Sequence, residues 1–478
     1  MKSIETTINN IKQVTDIRNT STGKTLAANW CKGTGLGGLT DIFFNYVSIT
    51  GQSKPLPLKK AAIIACGDHG VCAMNVSAYP QKTTIDMTRN YLVSKGAVAN
   101  AMTNFSATDM LVVDMGIAAD MSSLPGLINK KIAFGTENFV YGPAMTRDAA
   151  VKAIETGIDL ADKLAAKGYN CFLLGEMGIA NTTSSAAIAA AICGLTAEQA
   201  TGRGTNISDS RLKIKIDVVK KALAVNKPNP ADGIDVLSKI GGFEFGCLTG
   251  VILGAAAHDC LIILDGFNTS AAALIAQALC PLSAKHMMPS HLAGEPAHQA
   301  ALQKLGLSPY IDLRLQLSET AGSSVIARFI DLAVQIYDML RTDTFPDADI
   351  LPDPPATTQY SLDKDIMSTC QERIDNLTKP IKCLGKFEDI AIFLAGVLKK
   401  VQPVMDDVTA NKTLLLPYIL ATSRCLKIPV TNAYAAEKVG LILIDGALHM
   451  LNDMKTFAEA AVSVANDGPG AGRQKSTY

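Results

Sequence analysis

Four short, mainly apolar segments alternate with longer segments of helical spacing, and this alternation limits the fold more than any other feature of the sequence. Each apolar segment ends in a small or acidic residue; in chain order they are 61–66, 109–114, 170–175 and 260–265. Segments of this kind are typical of parallel strands that are buried on both faces. Together with Ala/Leu/Lys-rich stretches such as 147–167, they predict an α/β fold with a Rossmann-like, mostly parallel sheet and helices on both faces.

The composition excludes several classes of protein. Lys and Arg total 44, as do Asp and Glu, so the chain lacks the basic excess that is typical of nucleic-acid binders. A hydrophobic content of 48% is too high for a disordered chain. Two uncharged stretches, 177–197 and 267–284, contain several polar residues, so we predict buried core helices there and no membrane span.

The cysteines and histidines favour a reducing compartment and give a metal site little support. The eleven cysteines are scattered without a Cys-x-x-Cys pair, and the N-terminus has no apolar signal segment. The six histidines show no His-x-x-x-His spacing. We therefore expect a cytoplasmic protein with no metal and no cofactor, and with neither nucleic acid nor a membrane as a partner.

Proline content and a faint repeat suggest how the chain is divided. Four prolines lie between 344 and 360, and a Leu-Gly segment precedes an amphipathic helix twice, at 35–48 and 383–396. Two unrelated helix starts would explain the Leu-Gly repeat equally well. We predict an N-terminal helical part of a small domain (1–60), a Rossmann-like catalytic domain whose end returns to the small domain (61–343), a Pro-rich linker (344–360), an added C-terminal helical module resembling the N-terminal segment (361–451) and a partly disordered tail (452–478).

The loop after the third predicted strand is the best candidate for chemistry. Gly175 and Gly178 would let backbone N–H groups approach a ligand, and Thr182 stands at the start of an Ala-rich helix. A helix N-terminus with free N–H groups favours phosphate. A plain capped turn is the alternative, but it would leave Met177 and Ile179 exposed, which favours a pocket.

Two carboxylates and one lysine are further candidates. Glu176 lies in the same loop, and Glu319 is flanked by apolar and small residues, where burial would raise its pKa and make it a base near neutral pH. Glu319 would otherwise be an ordinary helix-initiating residue. Lys215 could reach a phosphate, although a solvated surface is the usual environment of such a lysine.

Eight segments of the chain are informative when taken together. They are CGDHGV (66–71), VYGPAMTRDAA (140–150), LLGEMGIANTTSSAA (173–187), KPNPADGIDVLSKIGGFE (227–244), LTGVILGAAA (248–257), LDGFNTSAA (264–272), MPSHLA (288–293) and LSETAGSS (317–324). In this order they resemble the nicotinate-nucleotide–dimethylbenzimidazole phosphoribosyltransferase family, which prepares the lower ligand of cobalamin. The resemblance covers roughly residues 30 to 350. It implies a Rossmann-like large domain, a small helical domain and, usually, a homodimer.

The resemblance also implies an activity and roles for individual residues. The activity is transfer of phosphoribose from nicotinate mononucleotide to 5,6-dimethylbenzimidazole, which yields α-ribazole 5′-phosphate and nicotinate. Glu319 corresponds to the general base. The phosphate and ribose of the donor would be bound by Gly175, Glu176, Gly178, Asn181, Thr182 and Lys215. The pocket for the acceptor base would be formed by Tyr79, Met87, Met177 and Leu317.

Three departures from the family pattern concern the acceptor and the chain ends. Tyr79 replaces the Ser of a Val-Ser-Pro-Lys motif and Met87 replaces a Gln, and in the family these two residues help to hold the benzimidazole. A phenol or another base is therefore an alternative acceptor, as in relatives that work as a heteromeric pair. The family's N-terminal Leu-x-Lys-Pro-x-x-x-Leu-Gly-x-x-Glu motif is degenerate at 30–39 and is better matched at 377–388.

Two other functions are compatible with parts of the sequence. One is a non-catalytic partner subunit, and the retention of Glu319 and of the whole phosphate loop argues against it. The other is a nicotinamide dinucleotide oxidoreductase, which needs a Gly-x-Gly-x-x-Gly turn after a strand. The glycine-rich segment 33–38 lacks both the full spacing and a convincing strand before it.

Overall fold

The computed structural model of the protein describes residues 3–346, 360–428, 430–456 and 459–460. Its central sheet consists of β1 (Lys60–Gly67), β2 (Asp109–Gly116), β3 (Ile128–Asn129), β4 (Cys171–Met177), β5 (Leu261–Leu264) and β6 (Met287–Pro289). The four predicted strands correspond to β1, β2, β4 and β5. The edge strands β3 and β6 have only two and three residues, which is too short for a recognisable pattern.

The strands run parallel in the order β3-β2-β1-β4-β5-β6. The prediction of a Rossmann-like α/β fold is confirmed, and the sheet is parallel across all of the described strands. The strand order reverses between β1 and β4. Open α/β sheets bind their ligands beyond the carboxyl ends of the strands at such a switch point. The loop after β4, the best candidate for chemistry in the sequence, lies there.

Helices surround the sheet and continue beyond it towards the C-terminus. In the described residues they are α1 (Ile4–Ile8), α2 (Ser21–Trp30), α3 (Gly38–Thr50), α4 (Thr83–Arg89), α5 (Val98–Phe105), α6 (Arg147–Ala166), α7 (Asn181–Cys193), α8 (Ala197–Ala200), α9 (Asp209–Asn226), α10 (Gly233–Ile240), α11 (Phe243–Ala257), α12 (Phe267–Leu279), α13 (His298–Leu305), α14 (Ala321–Arg341), α15 (Lys364–Asp375), α16 (Lys386–Leu398), α17 (Met405–Ala410), α18 (Lys412–Thr422) and α19 (Ala433–Asp453).

Both faces of the sheet are covered, which explains the apolar runs within its central strands. On β1, Ile63 and Ala65 belong to a core shared with α6, α11 and α12, whereas Ala62 belongs to a second core shared with α3, α5 and α14. Every residue of β1 is buried. A strand with one solvated face would instead alternate apolar and polar residues.

The region predicted as an added module contains α15 to α19. Residues of α16 and α19 belong to the same core as α3 and α14. The division into domains stays a prediction. Residues 347–359 of the predicted linker and 461–478 of the predicted tail lie outside the described residues.

Two alternatives from the sequence can be settled by the fold. The segment 33–38 follows α2 and not a strand, so it is not a dinucleotide-binding turn. The two uncharged stretches contain the buried helices α7 and α12. No helix in the described ranges combines the length and the apolar character that crossing a membrane requires.

Helices α6 and α11 cross at very short range. A Cβ atom at Gly250 would lie 1.9 Å from the carbonyl oxygen of Ile154, and one at Gly157 would lie 1.9 Å from that of Cys247. Glycine is therefore required at both positions by the approach of the two helices.

We expect Gly250→Ala to lower the free energy of unfolding by about 1–3 kcal/mol, because the added methyl group must push the helices apart. Urea denaturation measures the change. Gly142→Ala is a suitable control, since a Cβ atom there would meet nothing within 4 Å. Equal stability of the two variants would contradict the close crossing.

Candidate active site

A cleft opens at the carboxyl edge of the sheet, between the turn after β4 and the loop before α14. It contains about 930 Å³ of empty space, a figure that includes its open mouth. The predicted site residues that line it are Tyr79, Met87, Glu176, Met177, Gly178, Asn181, Thr182, Leu317 and Glu319. Gly175 and Lys215 lie behind its walls.

Gly175 allows the two walls of the cleft to meet. It lies within β4, where a Cβ atom would come within 2.5 Å of Ile64 and 2.9 Å of Thr320. Beside it, the backbone N–H of Glu176 donates to the carbonyl oxygen of Ser318 at 3.3 Å. The missing side chain of Gly175 thus lets the loop before α14 pack on the end of β4, and the contact of Gly175 with a ligand stays a prediction.

Two helices, α7 and α14, begin beside the cleft with unusual backbone geometry. The residue before each helix is left-handed, with φ of 77° at Ala180 and 61° at Thr320. Non-glycine residues rarely adopt this conformation, and such strain concentrates at functional sites. No side chain caps the start of α7, which suits a binding site for an anion.

Lys215 lies one layer behind this helix start. Its side chain is buried, and Nζ donates to Thr182 Oγ1 at 2.8 Å. Burial lowers the pKa of Lys215 to about 8, while Glu295 acts in the opposite direction. Gly204 leaves room for the contact, because a Cβ atom there would lie 2.6 Å from Thr182 Oγ1. An anion in the cleft would favour the charged lysine.

Glu319 has the properties of a general base. Only 6% of its surface is exposed, and Oε2 has no hydrogen-bond partner among the described residues. Burial raises the pKa of Glu319 to about 7, helped by Asp265 and opposed by the Ala99 N–H and the Tyr91 hydroxyl. A carboxylate with an uncommitted oxygen and a pKa near neutrality can accept a proton under physiological conditions.

Glu176 and Asp265 are two further buried acids beside the cleft. Asn268 Nδ2 donates to Glu176 Oε1 at 2.7 Å, and the Asn181 amide donates to its other oxygen. Burial raises the pKa of Glu176 to about 8. Asp265 accepts from the Ser323 N–H at 2.8 Å and so holds the first turn of α14, and burial raises its pKa to about 7.

The part of the cleft predicted to receive the acceptor is mostly apolar. Tyr79, Met87, Met177 and Leu317 all contribute to its lining. Burial raises the pKa of the Tyr79 hydroxyl, so this side chain stays neutral near pH 7. The wall therefore suits a flat, uncharged ring.

Several lining residues were not identified from the sequence. Asn268 follows β5 within the family-like segment 264–272, a position that could have pointed to it. Thr378, Lys379 and Pro380 come from the C-terminal region, about 60 residues after Glu319. Their signal is the Leu-x-Lys-Pro match at 377–380, which by itself does not indicate that these residues lie beside the catalytic domain.

Several known proteins are similar in sequence to this chain. A family model described as Phosphoribosyltransferase matches residues 16–350 and 360–411. A nicotinate-nucleotide–dimethylbenzimidazole phosphoribosyltransferase of Desulforamulus reducens is 44% identical over 308 residues, which cover 64% of this chain and 88% of the relative. The chain belongs to this phosphoribosyltransferase family. The resemblance inferred from eight segments is confirmed.

Other members of the phosphoribosyltransferase family show how this chain differs. The enzyme of the same name from Ruminiclostridium cellulolyticum is 39% identical over 349 residues, covering 73% of this chain and 98% of the relative. The crystal structure of CobT from Thermus thermophilus has a TM-score of 0.64 and 33% identity, covering 67% of this chain and 96% of that one. The relatives are matched almost completely, whereas about a quarter to a third of this chain stays unmatched.

We expect ionisation of Glu319 to destabilise this phosphoribosyltransferase. The folded protein holds the proton more tightly than the unfolded chain, because the pKa of Glu319 rises from 4.5 to about 7. Stability should therefore fall as the pH rises through that interval. Glu319→Gln should be more stable than the parent at pH 8, by up to about 3 kcal/mol, and no more stable at pH 4.

Urea denaturation at the two pH values measures this difference. Glu372→Gln, at an exposed position, is the matched control and should show no pH-dependent gain. A loss of stability in Glu319→Gln at pH 8 would mean that the carboxylate is well solvated or paired in the folded protein.

Proposed function

We propose that the protein transfers phosphoribose from nicotinate mononucleotide to 5,6-dimethylbenzimidazole, giving α-ribazole 5′-phosphate and nicotinate. Membership of the family and the names of its relatives support the reaction class. The observation that carries the proposal is that Glu319 lines the same cleft as the start of α7. Its carboxylate is buried, and one oxygen has no hydrogen-bond partner among the described residues.

The donor's phosphate would lie at the start of α7, near Thr182. The helix dipole and backbone N–H groups favour an anion there, and Lys215 supplies a positive charge through its contact with Thr182. Glu176, held by Asn181 and Asn268, would accept hydrogen bonds from the ribose hydroxyls. These contacts would orient the anomeric carbon towards the rest of the cleft.

The chemistry is a displacement at that carbon. The bond between the anomeric carbon and the nicotinate nitrogen breaks, and the electron pair stays on the ring nitrogen, which changes from positive to neutral. A nitrogen of the benzimidazole attacks from the opposite face, so the β linkage becomes α. The acceptor's N–H proton passes to Glu319. Much of the acceleration would come from holding the two substrates in line.

The acceptor is the least constrained part of the proposal. Tyr79 and Met87 line an apolar wall that fits a flat ring. Dimethylbenzimidazole is the main candidate, and a phenol or another base, used by a heteromeric pair of related chains, is the alternative. We place the reaction in the cytoplasm, consistent with eleven cysteines that are all unpaired.

The purified protein should release nicotinate from nicotinate mononucleotide only when an acceptor base is present. Glu319→Gln should lower kcat by about 100- to 10,000-fold, the usual contribution of a general base. Chromatography of nicotinate and mass analysis of the product measure both effects. Glu372→Gln should keep the parent rate; turnover by Glu319→Gln at that same rate would remove the proposed base.

The acceptor wall can be tested separately with a panel of benzimidazoles, purines and phenols. Tyr79→Ser together with Met87→Gln restores the residues found in benzimidazole-using relatives. We expect this double variant to raise kcat/KM for dimethylbenzimidazole relative to phenol by about tenfold, the range available from one or two hydrogen bonds. An unchanged ratio would show that neither side chain contacts the acceptor.

A further inference from the structure

The Leu-Gly segment and the helix after it occur twice with the same backbone geometry. Gly37 has φ 49° and ψ −132°, and Gly385 has φ 50° and ψ −131°. Each is followed directly by a helix of 13 residues, α3 in one case and α16 in the other. This shared geometry, with equivalent residues 348 positions apart (385 − 37), indicates a true repeat.

A second pair of segments also repeats. Residues 310–316 precede α14 and residues 425–431 precede α19, and both helices have 21 residues. Ile311 and Leu426 form an antiparallel bridge with each other, which sets an offset of 115 (426 − 311). Two backbone hydrogen bonds flank the bridge: Asp312 N–H to the Cys425 carbonyl (3.1 Å) and Lys427 N–H to the Tyr310 carbonyl (2.9 Å).

Each Leu-Gly turn is bonded to the segment that belongs to the other copy. Gly38 N–H donates to the Ile428 carbonyl at 2.8 Å, and its equivalent Lys386 N–H donates to the Leu313 carbonyl at 3.1 Å. A further pair obeys the same rule: Thr431 N–H to the Gly35 carbonyl (2.8 Å) and Gln316 N–H to the Cys383 carbonyl (2.9 Å). The offsets of 348 and 115 convert each of these bonds into its mate, as a two-fold axis does in a symmetric dimer.

We infer that α16 and α19, with the segments before them, are a second copy of the part of the small domain that contains α3 and α14, that this copy lies against the first where a second subunit would otherwise dock, and that it completes the catalytic cleft of its own chain. The relation of the two copies rests on backbone geometry alone. The role in the cleft rests also on the proposed function. The second matched range of the family, 360–411, includes α15 and α16.

The second copy supplies a wall of the cleft through Thr378, Lys379 and Pro380. This wall is fixed to the catalytic domain, since Thr378 Oγ1 donates to the Gly96 carbonyl at 2.9 Å. Lys379 is buried, and its Nζ pairs with Glu388 at 3.1 Å. The pair neutralises the lysine, so Lys379 acts as a positioning residue that shapes the wall and does not compete with Lys215 for the phosphate.

The first copy has lost the residues that form this wall. With the offset of 348, Cys31 stands where Lys379 does and Thr40 stands where Glu388 does. Thr40 instead accepts a hydrogen bond from Trp30 Nε1 at 3.0 Å. The buried ion pair therefore exists in one copy only.

The second copy has lost the general base. Four residues, 317–320, separate Gln316 from α14 and include Glu319, whereas Asn432 alone separates the equivalent Thr431 from α19. The first copy thus keeps the general base, the second keeps the buried ion pair, and both copies contribute to a single cleft beside a single sheet. The homodimer expected from the family resemblance is therefore unnecessary for completing this site.

Sedimentation equilibrium of the full chain tests the inference without any assay of function. We expect a single species of 50.4 kDa over a concentration range from micromolar to tens of micromolar. A stable dimer would overturn the statement that the second copy takes the place of a second subunit.

A complementation experiment tests the role in the cleft. Lys379→Met should lower kcat/KM at least tenfold and raise the KM of a substrate, whereas Lys382→Met, exposed in the same turn, should match the parent. Equal activity of the two variants would overturn the role of the wall. A purely structural defect would reduce the folded fraction and leave the KM values unchanged. If Lys379→Met does not fold, Thr378→Val takes its place.

The same variants distinguish action within a chain from action between chains. Glu319→Gln and Lys379→Met chains carrying different tags are produced together and assayed as a mixture. We expect no more than the sum of their separate activities; a recovery above that sum would show that the wall acts on another chain. If the parent protein does not release nicotinate, the proposed function fails while the mass measurement still decides the relation of the copies.

Discussion

The contact between the end of β4 and the loop before α14 is the constraint on which the site depends. It brings two parts of the proposed machinery that are far apart in sequence, the phosphate turn at 176–182 and Glu319, to one cleft. The contact is a backbone hydrogen bond from Glu176 to Ser318, and it requires that position 175 carry no side chain. The parallel sheet then sets the geometry, because β4 borders the point where the strand order reverses.

That same arrangement concentrates acidic groups in a region from which water is excluded. Glu176, Asp265 and Glu319 are buried beside one another, and burial raises the pKa of each. Glu176 and Asp265 are compensated by hydrogen bonds from Asn268 and Ser323. Glu319 is left with an oxygen, Oε2, that has no hydrogen-bond partner among the described residues. Asp265 also keeps one oxygen, Oδ2, without a hydrogen-bond partner among the described residues, so the two acids are distinguished by position: Glu319 lines the cleft, where its proposed task is to take a proton.

The sequence predicted the four central strands because burial on both faces leaves a local signature, an apolar run such as Ala61–Cys66. It could not predict β3 and β6, whose two or three residues carry no periodicity. Site residues with a local sequence pattern could likewise be predicted, and those without one could not. The turn at 175–182 has such a pattern, because it combines glycines with hydroxyl side chains. Asn268 and Lys379 line the cleft only through tertiary packing, and a single polar residue in a loop or at a helix start has many ordinary explanations.

The internal two-fold relation gives the C-terminal helices a physical purpose. A wall provided by another chain is present only when the two chains are associated, so the fraction of clefts with a complete wall falls as the protein is diluted. A covalent connection converts that encounter into an intramolecular one with an effective concentration on the order of millimolar. The connection also removes the need for two equivalent halves, since only one copy has a sheet beside it. The first copy keeps Glu319 without the Lys379–Glu388 pair and the second keeps that pair without the carboxylate, which is the division of parts that a single cleft per chain requires.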